Sequence, residues 1–203
     1  MHVLLLIFRK AKVKLMNNIS NGWFTKAKKI NSPNYNNRPD KVSVDAIILH
    51  SISLPPGSYE GNDIDHFFTN QLDCDKKPFY HDIRDLKVSS HLLIRRSGEL
   101  VQYVSLFERA WHAGQSLLAQ RENCNDFSIG IELEGTDKSN FECVQYNTLT
   151  EVVALLLDYF PEITVERIVG HSDIAPGRKT DPGIGFDWHL WKNQLAKQTS
   201  RIK

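Results

Sequence analysis

Between Ser128 and Pro161 the hydrophobic period changes once, and that change restricts the chain to few architectures. Ser128 to Leu133 alternates as a strand, with Ile129, Ile131 and Leu133 on one face and Gly130, Glu132 and Glu134 on the other. From about Glu142 to Phe160 the apolar residues Val144, Leu149, Val152, Val153, Leu156, Leu157 and Phe160 recur at helical spacing, and Pro161 ends the run. Other short segments fit the same scheme. Ala46 to Leu49 predicts a strand running into His50. Val88 to Ile94 and Leu100 to Val104 predict a hairpin turned at Ser97-Gly98. Ile168-Val169 predicts a brief strand before Gly170-His171. Asn62 or Asp63 can cap a short helix through Phe68, and Asp187 can cap a last helix with Trp188, Trp191 and Leu195 on one face. Asn31 to Asp40, rich in Asn and Pro, reads as an irregular connector. Strands and helices are interleaved, so the expected class is α/β in the α+β sense: a mixed central sheet flanked by helices.

A chain of 203 residues can build one domain with a real core. With 41% hydrophobic and 24% charged residues it has the composition of a soluble globular protein. A net charge of +1 with no basic stripe argues against a nucleic-acid partner. Cys74, Cys124 and Cys143 are odd in number and far apart, so neither a disulfide framework nor a zinc knuckle is expected, and reduced thiols suit the cytoplasm. Near the start, the apolar run Val3 to Phe8 precedes Arg9, Lys10, Lys12 and Lys14. A signal peptide has those charges in front of a longer core, and a membrane helix needs about 20 apolar residues. Residues 1–15 are therefore expected to be a disordered or non-native extension, and 16–203 a single domain. No membrane partner is expected, and the protein is expected to act as a monomer.

Three residues suggest metal chemistry. His50 ends one strand, His171 follows another, and Asp181 lies ten residues on, inside a loop restricted by Pro176, Gly177, Pro182 and Gly183. Two imidazoles and a carboxylate make a three-ligand zinc set with one position open, the pattern of a catalytic site. Eight histidines offer many such triples, so spacing alone does not single this one out. Glu132 and Glu134 are candidates for a general base in a cleft or for solvent-facing strand residues. Gly130 would leave room beside Glu132. Trp111-His112-Ala113-Gly114 reads either as a ligand-stacking loop or as a tryptophan buried at a corner. His91 is a supporting or structural group.

Longer strings carry more. His50-Ser51-Ile52-Ser53-Leu54-Pro55-Pro56-Gly57, Val88-Ser89-Ser90-His91, Trp111-His112-Ala113-Gly114, Asn125-Asp126-Phe127-Ser128-Ile129-Gly130-Ile131-Glu132-Leu133-Glu134-Gly135 and Gly170-His171-Ser172-Asp173-Ile174-Ala175-Pro176-Gly177-Arg178-Lys179-Thr180-Asp181-Pro182-Gly183 occur in that order. They resemble the AmpD-type N-acetylmuramoyl-L-alanine amidases, whose broader relatives are the peptidoglycan-recognition and phage-lysozyme-like amidases. The likeness runs from about Gly22 to Leu195, and Ser32-Pro33-Asn34-Tyr35 and Arg38-Pro39-Asp40 fit the AmpD branch. It implies the amidase-like fold and one Zn2+ held by His50, His171 and Asp181. It further implies Glu132 as acid/base, Lys179 near the scissile carbonyl, and Arg178 with Lys87 on substrate carboxylates. Trp111 and His112 would be further substrate contacts. The implied substrate is a 1,6-anhydro-muropeptide, cut between muramic acid and L-alanine during cytoplasmic wall recycling. The chain departs at Ser51, where Asn is frequent, and at Lys87 and Asn123, where Arg is frequent. Lysine keeps the charge but loses the two-pronged grip. A zinc-free recognition module, an exported amidase or a regulatory muropeptide binder would lack, respectively, a complete ligand set, the cytoplasmic setting, or any need for Glu132 and Lys179.

Overall fold

The structure is a computed structural model that describes residues 18–59 and 61–200; the expected extension over residues 1–15 lies outside the described residues. Its centre is a six-stranded sheet built from β1 (Lys28–Lys29), β2 (Ala46–Ile52), β3 (Leu92–Ile94), β4 (Leu100–Gln102), β5 (Ser128–Glu134) and β6 (Ile168–Gly170). The spatial order is β6-β2-β5-β3-β4-β1. β6, β2, β5 and β3 run parallel, β4 turns back antiparallel to β3, and β1 pairs parallel with β4. The sheet is therefore mixed, as the interleaving of periods predicts. Among the described residues four α-helices accompany it: α1 (Asp63–Phe68), α2 (Cys143–Tyr159), α3 (His171–Ile174) and α4 (Trp188–Ser200).

The central strands are buried on both faces, which is why Ala46 to Leu49 is continuously apolar. On one face Ile47, Leu49, Ile129, Ile131 and Leu133 pack under α2 and α4, against Leu149, Val153, Leu156, Trp191 and Leu195. α2 begins where the Glu142 N–H donates to Gln145 Oε1 at 3.0 Å and ends at Tyr159, two residues before Pro161. The opposite face carries two separate apolar clusters. One joins Leu93, Val101 and Tyr103 to Phe67 and Phe68 of α1 and to Tyr80 of the 3-10 helix Pro78–Ile83. The other joins Ala46 and Ile48 to Ala113, Cys124, Phe127 and Ile174. The gap between these clusters is where polar side chains gather.

Two expected elements come out shorter. Only Leu92–Ile94 of the Val88–Ile94 run joins the ladder, because 88–89 is held by a loop instead: Asn34 Nδ2 donates to Val88 O at 2.8 Å and Ser89 Oγ to Asn34 O at 2.6 Å. β4 stops at Gln102, whose side chain accepts from Phe24 N and donates to Gly22 O and Val104 O. Asn62 does occupy the N-cap of α1, but its side chain makes no capping bond. Cys74, Cys124 and Cys143 are all free thiols. Among the described residues no helix is long and apolar enough to cross a membrane.

Candidate active site

The apolar run of β2 carries the chain through the middle of the sheet, and His50 is its first polar side chain. Period-two alternation turns His50 away from the α2 face and into the gap between the two clusters. β5 lies alongside in register, Glu132 against His50, and β6 pairs Gly170 with Leu49 so that His171 emerges next door. All three sit toward the carboxyl ends of parallel strands, where open α/β sheets bind their ligands. The α3 turn then brings the chain back, with the Ser172 N–H donating to Asp181 O at 3.0 Å. Gly183 lets this loop seat itself: at φ +83° its missing Cβ would lie 2.1 Å from Asp137 O.

The result is a compact triangle. His50 Nδ1 and His171 Nδ1 are 3.0 Å apart, and each lies 3.1 Å from Asp181 Oδ2. Tetrahedral ligands at zinc distances stand about 3.3 Å from one another, so these donors could hold a metal ion after small adjustment. The remaining nitrogens face away, His50 Nε2 to His112 Nδ1 and His171 Nε2 to Ala113 O, both at 3.0 Å. Burial pushes His50 down to about 4, so the ring is neutral and able to ligate. Asp181 is held well below the usual carboxylate range: burial opposes this, but the close approach of the His171 and His50 rings outweighs it.

Glu132 is buried beside this triangle, and its Oε2 has no hydrogen-bond partner. Burial raises its carboxyl well above the ordinary value; Asp181 adds to the rise and the Lys179 ammonium opposes it. Glu134, on the same strand face, is fully engaged, accepting from Arg95 Nη1 at 3.3 Å and Arg96 N at 2.9 Å. Two cavities flank the triangle. One, of about 240 Å³, is walled by Phe67, Phe68, Phe79, Ile83 and Leu86 and reaches His50, Glu132 and Lys179. The other, of about 310 Å³, is lined by Ser51, Thr136, Asp137, Arg178, Lys179 and Thr180. A neutral His-His-carboxylate cradle, an unpaired buried carboxylate and a nearby ammonium can together activate water against a polarised carbonyl.

Comparison with known proteins agrees with that chemistry. Residues 39–184 match the N-acetylmuramoyl-L-alanine amidase family. The chain belongs to this family. It is 48% identical over 182 residues to the 1,6-anhydro-N-acetylmuramyl-L-alanine amidase AmpD of Escherichia coli strain K12, covering 90% of this chain and 99% of that one. A crystal structure of a selenomethionine derivative of AmpD superposes with a TM-score of 0.85 at 46% identity, covering 87% of this chain and 98% of the other. AmpDh3 from Pseudomonas aeruginosa, in complex with anhydromuramic pentapeptide, superposes with a TM-score of 0.56 at 27% identity, over 77% of this chain and 62% of that one.

Around the centre of this amidase the other sequence-derived positions separate. Lys179 borders both cavities. Arg178 is tethered, its Nη2 donating to Ala113 O at 2.9 Å and Gln115 O at 2.5 Å. Lys87 is exposed between Leu86 and Val88, two residues of the cleft wall. Trp111 is not among the cleft-lining residues. Its indole N–H donates to Asn36 Oδ1 at 2.7 Å, because Arg109–Ala110 pairs with Tyr35–Asn36 and carries the ring to that ribbon. His112 turns inward behind His50 and, though buried, borders the aromatic-walled cavity. The space expected beside Glu132 at Gly130 is filled by this ring, since a Cβ there would lie 2.4 Å from His112 Cγ. Sequence reasoning missed the aromatic wall, of which Phe79 and Leu86 are exposed in the structure. Arg38 appeared in that reasoning only within a string of the resemblance; its guanidinium donates to the carbonyls of Asn125, Asp126 and Ser128 and so holds the entry to β5.

Proposed function

We propose that this amidase uses one zinc ion, held by His50, His171 and Asp181, to hydrolyse the amide between N-acetylmuramic acid and L-alanine in soluble muropeptides. The sugar is preferentially in its 1,6-anhydro form, and the setting is wall recycling by a monomer in the cytoplasm. The observation that carries this reading is the buried carboxylate of Glu132, unpaired at Oε2, beside the ligand triangle. A strand carboxylate kept only for stability would have a partner, as Glu134 does. The relatives point the same way: the Escherichia coli protein is named for the anhydro substrate, and AmpDh3 was crystallised with an anhydromuramic pentapeptide.

Zinc bound there would supply Lewis-acid polarisation of the carbonyl and a water acidified to a pKa of about 7. Glu132 takes the proton as water attacks the lactyl carbonyl, a task for which its raised pKa suits it. The Lys179 ammonium, which faces the same cavity, offsets the charge that develops on the carbonyl oxygen, worth about 3 kcal/mol for a well-placed donor. Glu132 then returns the proton to the departing alanine nitrogen. No serine or cysteine is needed as a nucleophile. The second cavity, with Arg178 and Lys179, suits the peptide carboxylates, and exposed Lys87 can add charge from the other rim. The aromatic wall of Phe67, Phe68 and Phe79 suits the compact sugar.

The test is digestion of purified anhydro-muropeptide, followed by mass spectrometry, with and without a zinc chelator. Muramate and the free peptide should appear only without chelator. Parallel digestion of whole sacculi should be much slower; equal rates would remove the recycling assignment and leave the amidase chemistry intact.

A further inference from the structure

Behind His50 lies a chain of hydrogen bonds whose direction the heavy atoms determine. Ser128 Oγ donates its only proton to the Cys124 carbonyl oxygen at 2.5 Å. At its 3.3 Å contact with His112 Nε2 the hydroxyl can therefore only accept. His112 must carry its proton on Nε2 and present a bare Nδ1. That nitrogen lies 3.0 Å from His50 Nε2, which must donate to it. The proton of His50 is thus on Nε2, and its Nδ1 lone pair faces Asp181 and His171. His171 reaches the same state directly through its Nε2–H and Ala113 O. The neighbouring His91 does not interfere. Its Nδ1 accepts the Gly130 N–H at 3.0 Å, and its Nε2–H is left for Glu108 O, also at 3.0 Å, while Arg38 Nη2, 3.1 Å from that nitrogen, spends its protons on Leu106 O and Ser128 O.

We propose that His112 is a positioning residue that fixes the tautomer and ring orientation of His50, with Gly130 supplying the space for its ring and Ser128 fixing its own proton. This rests on the reading of His50 as a zinc ligand. It assigns His112 a role at the metal centre, although its ring also borders the cleft. Metal-bound histidines usually donate to a carboxylate or a carbonyl. A neutral imidazole orients the ligand equally well but adds no negative charge beside the centre. With Asp181 as the one anionic ligand, the ion keeps a net positive charge for its Lewis-acid role.

Zinc affinity by competition with a chromogenic chelator separates the alternatives in wild type, His112→Leu and His112→Asn. The leucine removes the acceptor. Asparagine places Oδ1 close to where Nδ1 was. His112→Leu is expected to weaken zinc binding about 10–100-fold, and His112→Asn to recover most of that loss, with the two metal-free variants unfolding at similar urea concentrations. Wild-type affinity in His112→Leu, or equal weakening in both variants, overturns the proposal. Failure of the wild type to take up zinc refutes the metal reading itself, which is a different result. Long-range 1H–15N spectra of the intact zinc-loaded protein need no variant: His112 should show a protonated Nε2 and a bare Nδ1, and the opposite tautomer overturns the assignment.

Discussion

Glu132 and Glu134 share a strand face and differ in everything that surrounds them. In the metal-free protein Glu132 has its carboxyl raised by burial, so the folded state holds its proton at pH values where the unfolded chain has released it. Stability therefore falls as pH rises from the ordinary glutamate range through the raised value. Glu132→Gln removes that penalty. The variant should melt higher than wild type at neutral pH, the difference should shrink below about pH 4.5, and activity should drop about 10²–10⁴-fold. Thermal melts of metal-free protein across pH, with a muropeptide assay of the loaded enzyme, check both halves. Glu134 has the opposite balance. Its side chain and that of Arg95 are 3% and 11% exposed, and Arg95 also contacts Asp65 at 2.7 Å. Glu134→Ala leaves that guanidinium partly uncompensated and should cost about 3–5 kcal/mol in urea unfolding, while the folded fraction keeps its kcat.

At the scale of elements, the two sides of the sheet do different work. α2 packs on the side away from the centre, and Leu149 is fully buried there. Leu149→Ala should lower stability by about 2–5 kcal/mol and leave zinc affinity unchanged. The loop ending in Gly183 behaves otherwise. Gly183→Ala demands a side chain at φ +83° against the Asp137 backbone, a strain of roughly 1–3 kcal/mol. The loop can relieve it only by shifting, which moves Asp181. Zinc affinity measured by chelator competition should fall in this variant and hold in the first. The same contrast explains what could be read from the sequence. α2 was readable from Leu149, Val152, Val153 and Leu156 because one face of a long helix meets one flat surface and its period records that, whereas Val144, which shares the spacing, is exposed. β2 was readable as an apolar run and β5 from its alternation. The shortening of the 88–94 strand was hidden, because Asn34, more than fifty residues away, decides it through its bond to Val88 O. The ligand triple emerged from resemblance, since eight histidines give no preference by spacing. The place of His112 depends on the absence of a side chain at Gly130, and the alternation of β5 indicates space there without saying what fills it.

At the scale of the molecule, the centre lies in a gap between two apolar clusters and contributes little to the core beneath it. Chelation should therefore abolish activity and leave the far-ultraviolet spectrum nearly unchanged. Zinc at a hundred times its Kd adds about 2.7 kcal/mol, so its removal should lower Tm by roughly 5–11 °C for a domain of this size. Calorimetry with and without chelator checks this, and a collapse of the whole spectrum would show that the ion is holding the sheet together. The triangle also draws on distant parts of the chain. His50 meets His171 across 121 residues. At a ribosome working at about 5–20 residues per second, that separation takes about 6–24 s to translate. For that interval an emerging polypeptide carries one imidazole of the set without its partners, and an isolated imidazole has little hold on a scarce ion. Capture of an ion by the triangle would thereby wait until β6 has docked beside β2, so a molecule that had acquired one would also have completed the longest-range strand pairing among the described residues.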